Sequence, residues 1–498
     1  MEGELMPASM DSPSPNRLRS DSEAESADKI FLTFFIFLLV KLNPKEDRIS
    51  CLPEDVIGFI LSLLTSREAQ ATCLLSRRWR HLSACRVTNL DFDRRELLDE
   101  MKDNPELAEK ERERYVEWVD NALYPQYEGY HLRRFALCFD LNISYQSHID
   151  RWIIFALAKQ VKVLQLIFDP TSMEDLMNDC DPNHLPYLLG RETLMDVDVG
   201  CSQQTSCLNN FAFSPSSSWH VGLRYLEELT FHRITVEGEL IEQLLANCPV
   251  LERLTLNDAF GLDRLRVSGR SLKLKYLLMT CCADLECVEI FDTNLASFTI
   301  MGMDIPMCLD KLPHMSEMSI IGSSWGFVHA ALFFLSSLSC LQILKLDYVT
   351  SPDEKWHIGQ LPKLPSVKQL KVSVQGYGDA TLLPFTLVIE ACPSLRSFVF
   401  ELMRPSEMLC RQRELKRVVR PSHMYLKEVE FYNYYGRPCD HELVNYLVEN
   451  AIALEKLVVN PCEEAYFSDG MKRLMEPRER ALQQLKGKLP SRIELMIN

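Results

Sequence analysis

The chain has 498 residues, of which 47% are apolar and 25% charged, and its formal net charge is -16. That length exceeds one ordinary core and implies two or more units or a repeat array. The acidic balance repels a phosphate backbone, which argues against nucleic-acid binding. Seventeen scattered cysteines, with no CxxC pair and no signal peptide at the N-terminus, argue against a disulfide framework and for reduced thiols of the nucleus or cytoplasm.

Residues 1–46 read as a disordered leader, because residues 1–29 carry Ser, Pro, Asp and Glu with little apolar surface to bury. Inside it stands "IFLTFFIFLLV", residues 30–40. A bilayer span needs about 20 apolar residues, so this segment is too short to cross one. It reads as a short helix or strand packed on a neighbouring surface, as a monotopic membrane anchor, or as sequence from a mis-set gene model.

Residues 47–90 read as three short helices. Pro53 suits a first helical turn, and Val56, Ile57, Ile60, Leu61 and Leu64 recur at helical spacing after Leu52. Thr65 to Glu68 matches a capping box and starts the second helix. In the third, "LLSRRWRHL", residues 74–82, aligns Leu75, Trp79 and Leu82 on one stripe, with Arg77, Arg78 and Arg80 beside or opposite it. Residues 94–130 read as a helical linker.

From residue 131 a single pattern dominates, with apolar residues at i, i+3 and i+5. It begins at Leu132-Phe135-Leu137 and Val161-Leu164-Leu166, and recurs at Leu226-Leu229-Phe231, Leu251-Leu254-Leu256 and Leu274-Leu277-Met279. It continues through Leu341-Leu344-Leu346 and Val367-Leu370-Val372 to Leu454-Leu457-Val459. From Leu226 on, the steps run from about 20 to about 31 residues, the scale of leucine-rich repeats. Positions i+3 and i+5 are one strand period apart and point the same way. Between strands the period turns helical, as in "GELIEQLLANCP" and "ELVNYLVENA". Two weaker copies, Leu262-Leu265-Val267 and Leu285-Val288-Ile290, read as extended segments that replace the helix on the convex side. Each unit buries its apolar face only against its neighbours, which predicts a curved α/β solenoid over residues 131–420. An irregular insertion falls at about 170–220, where Leu194-Val197-Val199 and Leu208-Phe211-Phe213 read as degenerate repeats.

Residues 47–93, "DRISCLPEDVIGFILSLLTSREAQATCLLSRRWRHLSACRVTNLDFD", resemble a plant-type F-box. The features that match are Leu52-Pro53, the apolar run to Leu64, Ala69 to Thr72, Leu75 to Leu82, and the closing Leu90-Asp91-Phe92-Asp93. Ala84 stands where the family usually has a Trp. Residues 421–498 are similar to the FBD domain that follows such regions in plants, through Tyr425 to Phe431, Glu442 to Ala451, Leu454 to Val459 and Leu489-Pro490-Ser491. The resemblance implies an N-terminal three-helix F-box followed by a leucine-rich-repeat solenoid, in a substrate receptor of an SCF-type ubiquitin ligase. Its F-box would dock on the Skp-family adaptor, which reaches cullin and RING subunits. Leu52, Pro53, Val56, Ile57, Ile60, Leu61, Leu64, Arg78 and Trp79 are the candidates for that contact. The bottom-up reading agrees, since a piece of this size cannot bury all its leucines internally and an exposed apolar stripe needs a partner. The alternative is a leucine-rich-repeat interaction scaffold acting outside the ligase.

No catalytic or metal constellation is expected, and no cofactor. Cys281, Cys282 and Cys287 cluster without the histidine or CxxC that a zinc set needs. Gly376 and Gly378 in "QGYGDA" lack the remaining glycines of a phosphate loop and read as a turn. The basic run "RQRELKRVVR", residues 411–420, reads as a solvated helix or loop, with a nuclear-import or phosphate-contacting patch as the alternative. Contacts to an unknown protein substrate are expected on side chains between the inward leucines, exemplified by Arg253, Thr255, Lys345, Lys371, Glu428 and Glu430. Nothing in the sequence identifies the target.

Overall fold

The computed structural model describes residues 52–54, 56–57, 60, 72, 79, 89–102, 104–123, 132–169, 185–194, 219–302, 305–322, 325–349, 360–377, 381–406, 415, 422–461 and 477–498. Contacts divide the chain into two units, Met1–Asp93 with Glu113–Ala136, and Arg94–Arg112 with Leu137–Asn498.

In the first unit, Leu90 and Phe92 alternate inward along β1 (Asn89–Asp93), so the closing "LDFD" is a strand. Phe92 meets Trp118 of α1 (Pro105–Leu123) edge-on at 5.0 Å and Phe135 of β2 (Arg134–Cys138) at 5.8 Å. The Tyr115 hydroxyl donates to the Phe92 carbonyl at 2.6 Å, and Arg134 Nε pairs with Asp91 Oδ1 at 2.6 Å. Edge-to-face rings of this kind add about 0.5–1.5 kcal/mol each beyond their buried area.

In the second unit each i, i+3, i+5 triad becomes one strand of a parallel sheet. The strands follow the chain: β3 (Val163–Ile167), β4 (Glu228–His232), β5 (Arg253–Asn257), β6 (Tyr276–Thr280), β7 (Ser297–Gly302) and β8 (Glu317–Gly322) come first. β9 (Ile343–Val349), β10 (Gln369–Tyr377), β11 (Ser397–Ser406), β12 (Glu428–Tyr434), β13 (Lys456–Pro461) and β14 (Glu494–Ile497) complete it. Every strand from β3 to β14 lies beside its successor. The register is in step, so Leu229, Leu254, Leu277 and Phe298 form one buried column and Phe231, Leu256, Met279 and Ile300 a second. The i residues Leu226, Leu251, Leu274 and Leu295 are buried ahead of them. A fully buried Leu contributes about 1.5–3 kcal/mol, and here each contribution requires the adjacent repeat. Strands β11 and β12, on either side of residue 420, pair in register at Phe398 with Val429 and Phe400 with Phe431.

Several strands end on a residue in the left-handed region: Arg233 at φ 57° after β4, Asp258 at 50° after β5 and Cys281 at 57° after β6. For an L-residue this conformation costs about 1–2 kcal/mol, and the same corner recurs because each repeat must leave the sheet in the same direction.

The other layer alternates helix and strand. α2 (Gln146–Ala158) buries Ile149, Trp152 and Ile153. α3 (Gly238–Asn247) buries Leu240, Ile241, Leu244 and Leu245, as the helical spacing of "GELIEQLLANCP" predicts. The helix then gives way to a three-stranded parallel sheet made of Arg264–Ser268, Cys287–Phe291 and Met307–Asp310. The first two are the extended segments read from the weaker triads, with Leu265 and Val267 in register with Val288 and Ile290. The third was not legible, since four residues with Met307 and Leu309 inward form no triad. Helices return with α4 (Trp325–Leu335), α5 (Thr386–Ala391), α6 (Pro438–Asn450) and α7 (Pro477–Leu485).

"QGYGDA" corrects the reading as a turn. Gln375 to Tyr377 continue β10, and the register to β11 slips between Gln375 and Tyr377. One residue of β10, Gly376, stands against two of β11, Arg404 and Pro405, so the bulge lies in β11 opposite Gly376. Leu194 ends a helical turn, Arg191–Leu194. Residues 30–40, 65–68, 197–213 and 378–380 lie outside the described residues, as do 411–420 apart from Leu415. Among the described residues no helix is long and apolar enough to cross a membrane.

Helix α3 runs so close to the neighbouring strand that a Cβ on Gly238 would lie 1.9 Å from the Arg264 carbonyl oxygen. Helix propensity alone makes Gly238→Ala stabilising by about 1 kcal/mol. Overpacking against backbone reverses the sign, to a loss of about 1–3 kcal/mol. Chemical denaturation of the full chain is expected to show a lowered midpoint for Gly238→Ala, and a raised midpoint would contradict the close approach.

Candidate interaction surfaces

Two surfaces correspond to the two sets of residues singled out by sequence. The first lies at the front of the first unit. Glu54, Val56, Ile57 and Ile60 are helical, and the Pro53 carbonyl accepts hydrogen bonds from the amides of Val56 and Ile57, both at 3.1 Å. Proline is compatible with this position because a helix start has no use for its missing N–H. Alternate sides of this turn differ sharply. Ile57 and Ile60 are buried, as is Trp79, whereas Pro53 is exposed, Val56 is 42% exposed and Leu52 is half-buried. The nine candidates therefore do not form one open face: Ile57, Ile60 and Trp79 serve as internal packing here, and Leu52, Pro53 and Val56 present surface. Leu61, Leu64 and Arg78 lie outside the described residues.

The second surface is the open face of the second unit's sheet. Strand alternation places three side-chain columns there, one between the two buried columns and one on either side of them. Arg253 and Thr255 fall on it, with Lys345, Lys371, Glu428 and Glu430, so all six candidates occupy the face that sequence assigned to them. Their environments differ. Lys345 Nζ reaches Glu317 Oε1 at 2.7 Å and Lys371 Nζ reaches Glu401 Oε2 at 2.7 Å, each pair linking adjacent strands. Glu430 accepts from the Tyr432 hydroxyl at 2.9 Å. Burial, reinforced by that carboxylate, holds the Tyr432 phenol above its ordinary range. Arg253 is exposed, and its guanidinium lies 4.3 Å from the centre of the Tyr276 ring on the next strand.

One polar chain on this face was not legible from sequence. His232 Nε2 lies 3.0 Å from Asp169 Oδ1, and Asn257 Nδ2 lies 2.9 Å from His232 Nδ1. The Thr280 hydroxyl then donates to Asn257 Oδ1 at 2.7 Å. A neutral imidazole protonated at Nε2 satisfies both of its contacts. The four residues are far apart in sequence and meet because His232, Asn257 and Thr280 share one register position on successive strands. The hydrogen bond from His232 outweighs burial and lowers the Asp169 carboxyl below its ordinary range, with Arg95 and Arg233 contributing charge.

Among the described residues no group of three or more His, Cys, Asp or Glu could hold a metal ion. Cys281 is exposed and Cys282 buried, where burial raises the Cys282 thiol to about 11.

Because the Asp169 carboxyl is lowered in the folded chain, its contribution to stability is present above the ordinary carboxylate range and lost as pH falls through the lowered value. Asp169→Asn is expected to lose less stability than the parent chain on acidification below about pH 4. Thermal denaturation from pH 6 downward reads this, and parallel losses in the two chains would contradict the contact.

Comparison with known proteins matches these surfaces to domain families. Residues 49–85 match the F-box domain, which stops short of β1. Residues 126–484 match the At1g61320/AtMIF1 leucine-rich-repeat domain. Among curated relatives, "F-box protein At3g59000" of Arabidopsis thaliana is 32% identical over 229 residues, covering 46% of this chain and 43% of that protein. "Putative F-box/LRR-repeat protein At3g58880" is 30% identical over 250 residues, 50% of each chain. "Putative F-box/LRR-repeat protein At5g54820" is 22% identical over 476 residues, 86% of this chain and 92% of that one. The chain spans about half the length of the first two of these relatives. With most of its length matched to that repeat domain and an F-box ahead of it, the chain belongs to the At1g61320/AtMIF1 leucine-rich-repeat family and carries an F-box.

Proposed function

We propose that the protein is the substrate-recognition subunit of an SCF-type ubiquitin ligase. Its F-box docks on a Skp-family adaptor, and through that adaptor on cullin and RING subunits, while the leucine-rich repeats hold a target protein. The observation that carries this reading is an F-box match at residues 49–85 followed by a repeat sheet whose outward columns carry charged and polar side chains. Such a receptor is non-catalytic. It accelerates ubiquitin transfer by holding the client near the charged conjugate, which converts an encounter into a proximity problem. Residues 421–498 are proposed to be the FBD-like continuation and cap of the repeats. The acidic chain with scattered cysteines fits a place in the nucleus and/or cytoplasm.

The adaptor contact is assigned to Leu52, Pro53 and Val56, which present apolar surface at a helix start, with Leu61, Leu64 and Arg78 as further candidates. Ile57, Ile60 and Trp79 are buried. Flanking arginines of "LLSRRWRHL" frame an acidic counterpart, which sets encounter rate and orientation more than affinity.

A Pro53→Ala/Val56→Asp double variant is expected to weaken binding to a Skp-family adaptor by at least about tenfold, or 1.4 kcal/mol, with the thermal unfolding of the full chain unchanged. Calorimetric titration of the full chain with the adaptor measures it. Full-strength binding by the double variant would contradict the assigned contact, and the absence of adaptor binding by the parent chain would contradict the ligase reading.

A further inference from the structure

On the open face of the sheet some charges are paired between adjacent strands and others are not. Lys345 and Lys371 are each neutralised by a carboxylate on an adjacent strand at 2.7 Å. Arg253 is not: among the described residues it has no ion-pair or hydrogen-bond partner. Its register neighbour on β4 is Glu228, yet the two form no ion pair. On its other side Tyr276 occupies the same register position on β6, and the guanidinium is held against that ring at 4.3 Å from its centre. A guanidinium stacked on an aromatic face has its fork already oriented, so binding a planar anion costs little further ordering.

The surroundings are equally unspent. Thr230, Thr255 and Thr299 lie on the next column of the same face, with Leu278 between the last two, and neither their hydroxyls nor that of Tyr276 has a hydrogen-bond partner among the described residues. Tyr276 and Met301 are each 39% exposed, large for side chains with apolar bodies. Arginine, tyrosine and methionine are the types that interface cores favour, and hydroxyls at strand spacing suit the peptide groups of an extended chain.

We propose that this patch, across β4 to β7, binds an extended segment of the client protein, and that Arg253 receives the carboxylate of an aspartate or glutamate in that segment. The inference rests on the client-receptor half of the proposed function. Charge decides between a carboxylate and a phosphate. Phosphate recognition draws on clusters of arginines, and here one guanidinium stands next to Glu228 in a chain of net charge -16. A single cation matches a monoanion, and its fork matches the two oxygens of a carboxylate.

The test immobilises the full chain and exposes it to a degenerate library of synthetic nonapeptides. Each position carries any of the twenty residue types or phosphoserine. The parent chain is expected to enrich peptides with Asp or Glu at one defined position. Arg253→Gln is expected to lose that preference, with affinity for the enriched peptide falling about tenfold to a hundredfold. Arg253→Lys is expected to keep a weakened preference, because it retains the charge without the fork. Unchanged thermal unfolding of both variants confirms that the sheet is intact. Enriched peptides without an acidic preference, phosphoserine enriched above Asp and Glu, or an acidic preference that survives in Arg253→Gln would each overturn the inference while leaving a client receptor standing. Capture of no peptide of any sequence by the parent chain would overturn the client-receptor reading together with it.

Discussion

Everything in the second unit depends on the in-step register of one parallel ladder. Each strand has too little apolar surface to fold alone, and its two inward side chains become buried only when the same positions of the adjacent strands lie directly beside them. A slip of one residue would exchange the inward columns for the polar ones. Register therefore fixes the packing and, with it, the identity of every side chain on the open face. Arg253, Tyr276 and Glu228 are neighbours because Leu254, Leu277 and Leu229 are.

That constraint explains which parts of the molecule were legible in sequence. The i, i+3, i+5 spacing is a local consequence of strand geometry, so the strands and the six open-face candidates could be read directly. The replacement of helix by strand beyond α3 was legible for the same reason at Leu265 and Val288. It failed at Met307–Asp310, where the segment is too short for its period to register. It failed again at Gly376, because a glycine in a strand opposite a bulge and a glycine in a turn carry the same local signal. The chain from Asp169 through His232 and Asn257 to Thr280 had no local signal at all. It is assembled by register across residues far apart in sequence, as are the lysine–glutamate pairs between adjacent strands.

The F-box was legible as a motif, although its helical period alone could not separate inward from outward positions. Val56 and Ile57 are adjacent, and both fit an apolar stripe; in the fold one is exposed and the other buried. The distinction matters chemically. An inward isoleucine stabilises the core in which it is buried, whereas an exposed valine beside a proline at a helix start is surface that gains energy only against a partner. The two halves of the proposed function thus use the same apolar chemistry in different ways: the repeats spend it internally and offer polar groups, while the front segment keeps part of it outside.

The central claim is that the adaptor engages the helix start at the front of the chain and leaves the ladder untouched, so that the open face remains free for a client. Hydrogen–deuterium exchange on the full chain, with and without a Skp-family adaptor, tests this directly. The account predicts slowed exchange at residues 54–57 on adding adaptor, with the amides of β4 to β14 exchanging as before. Adaptor-induced protection along those strands, or none at residues 54–57, would contradict it.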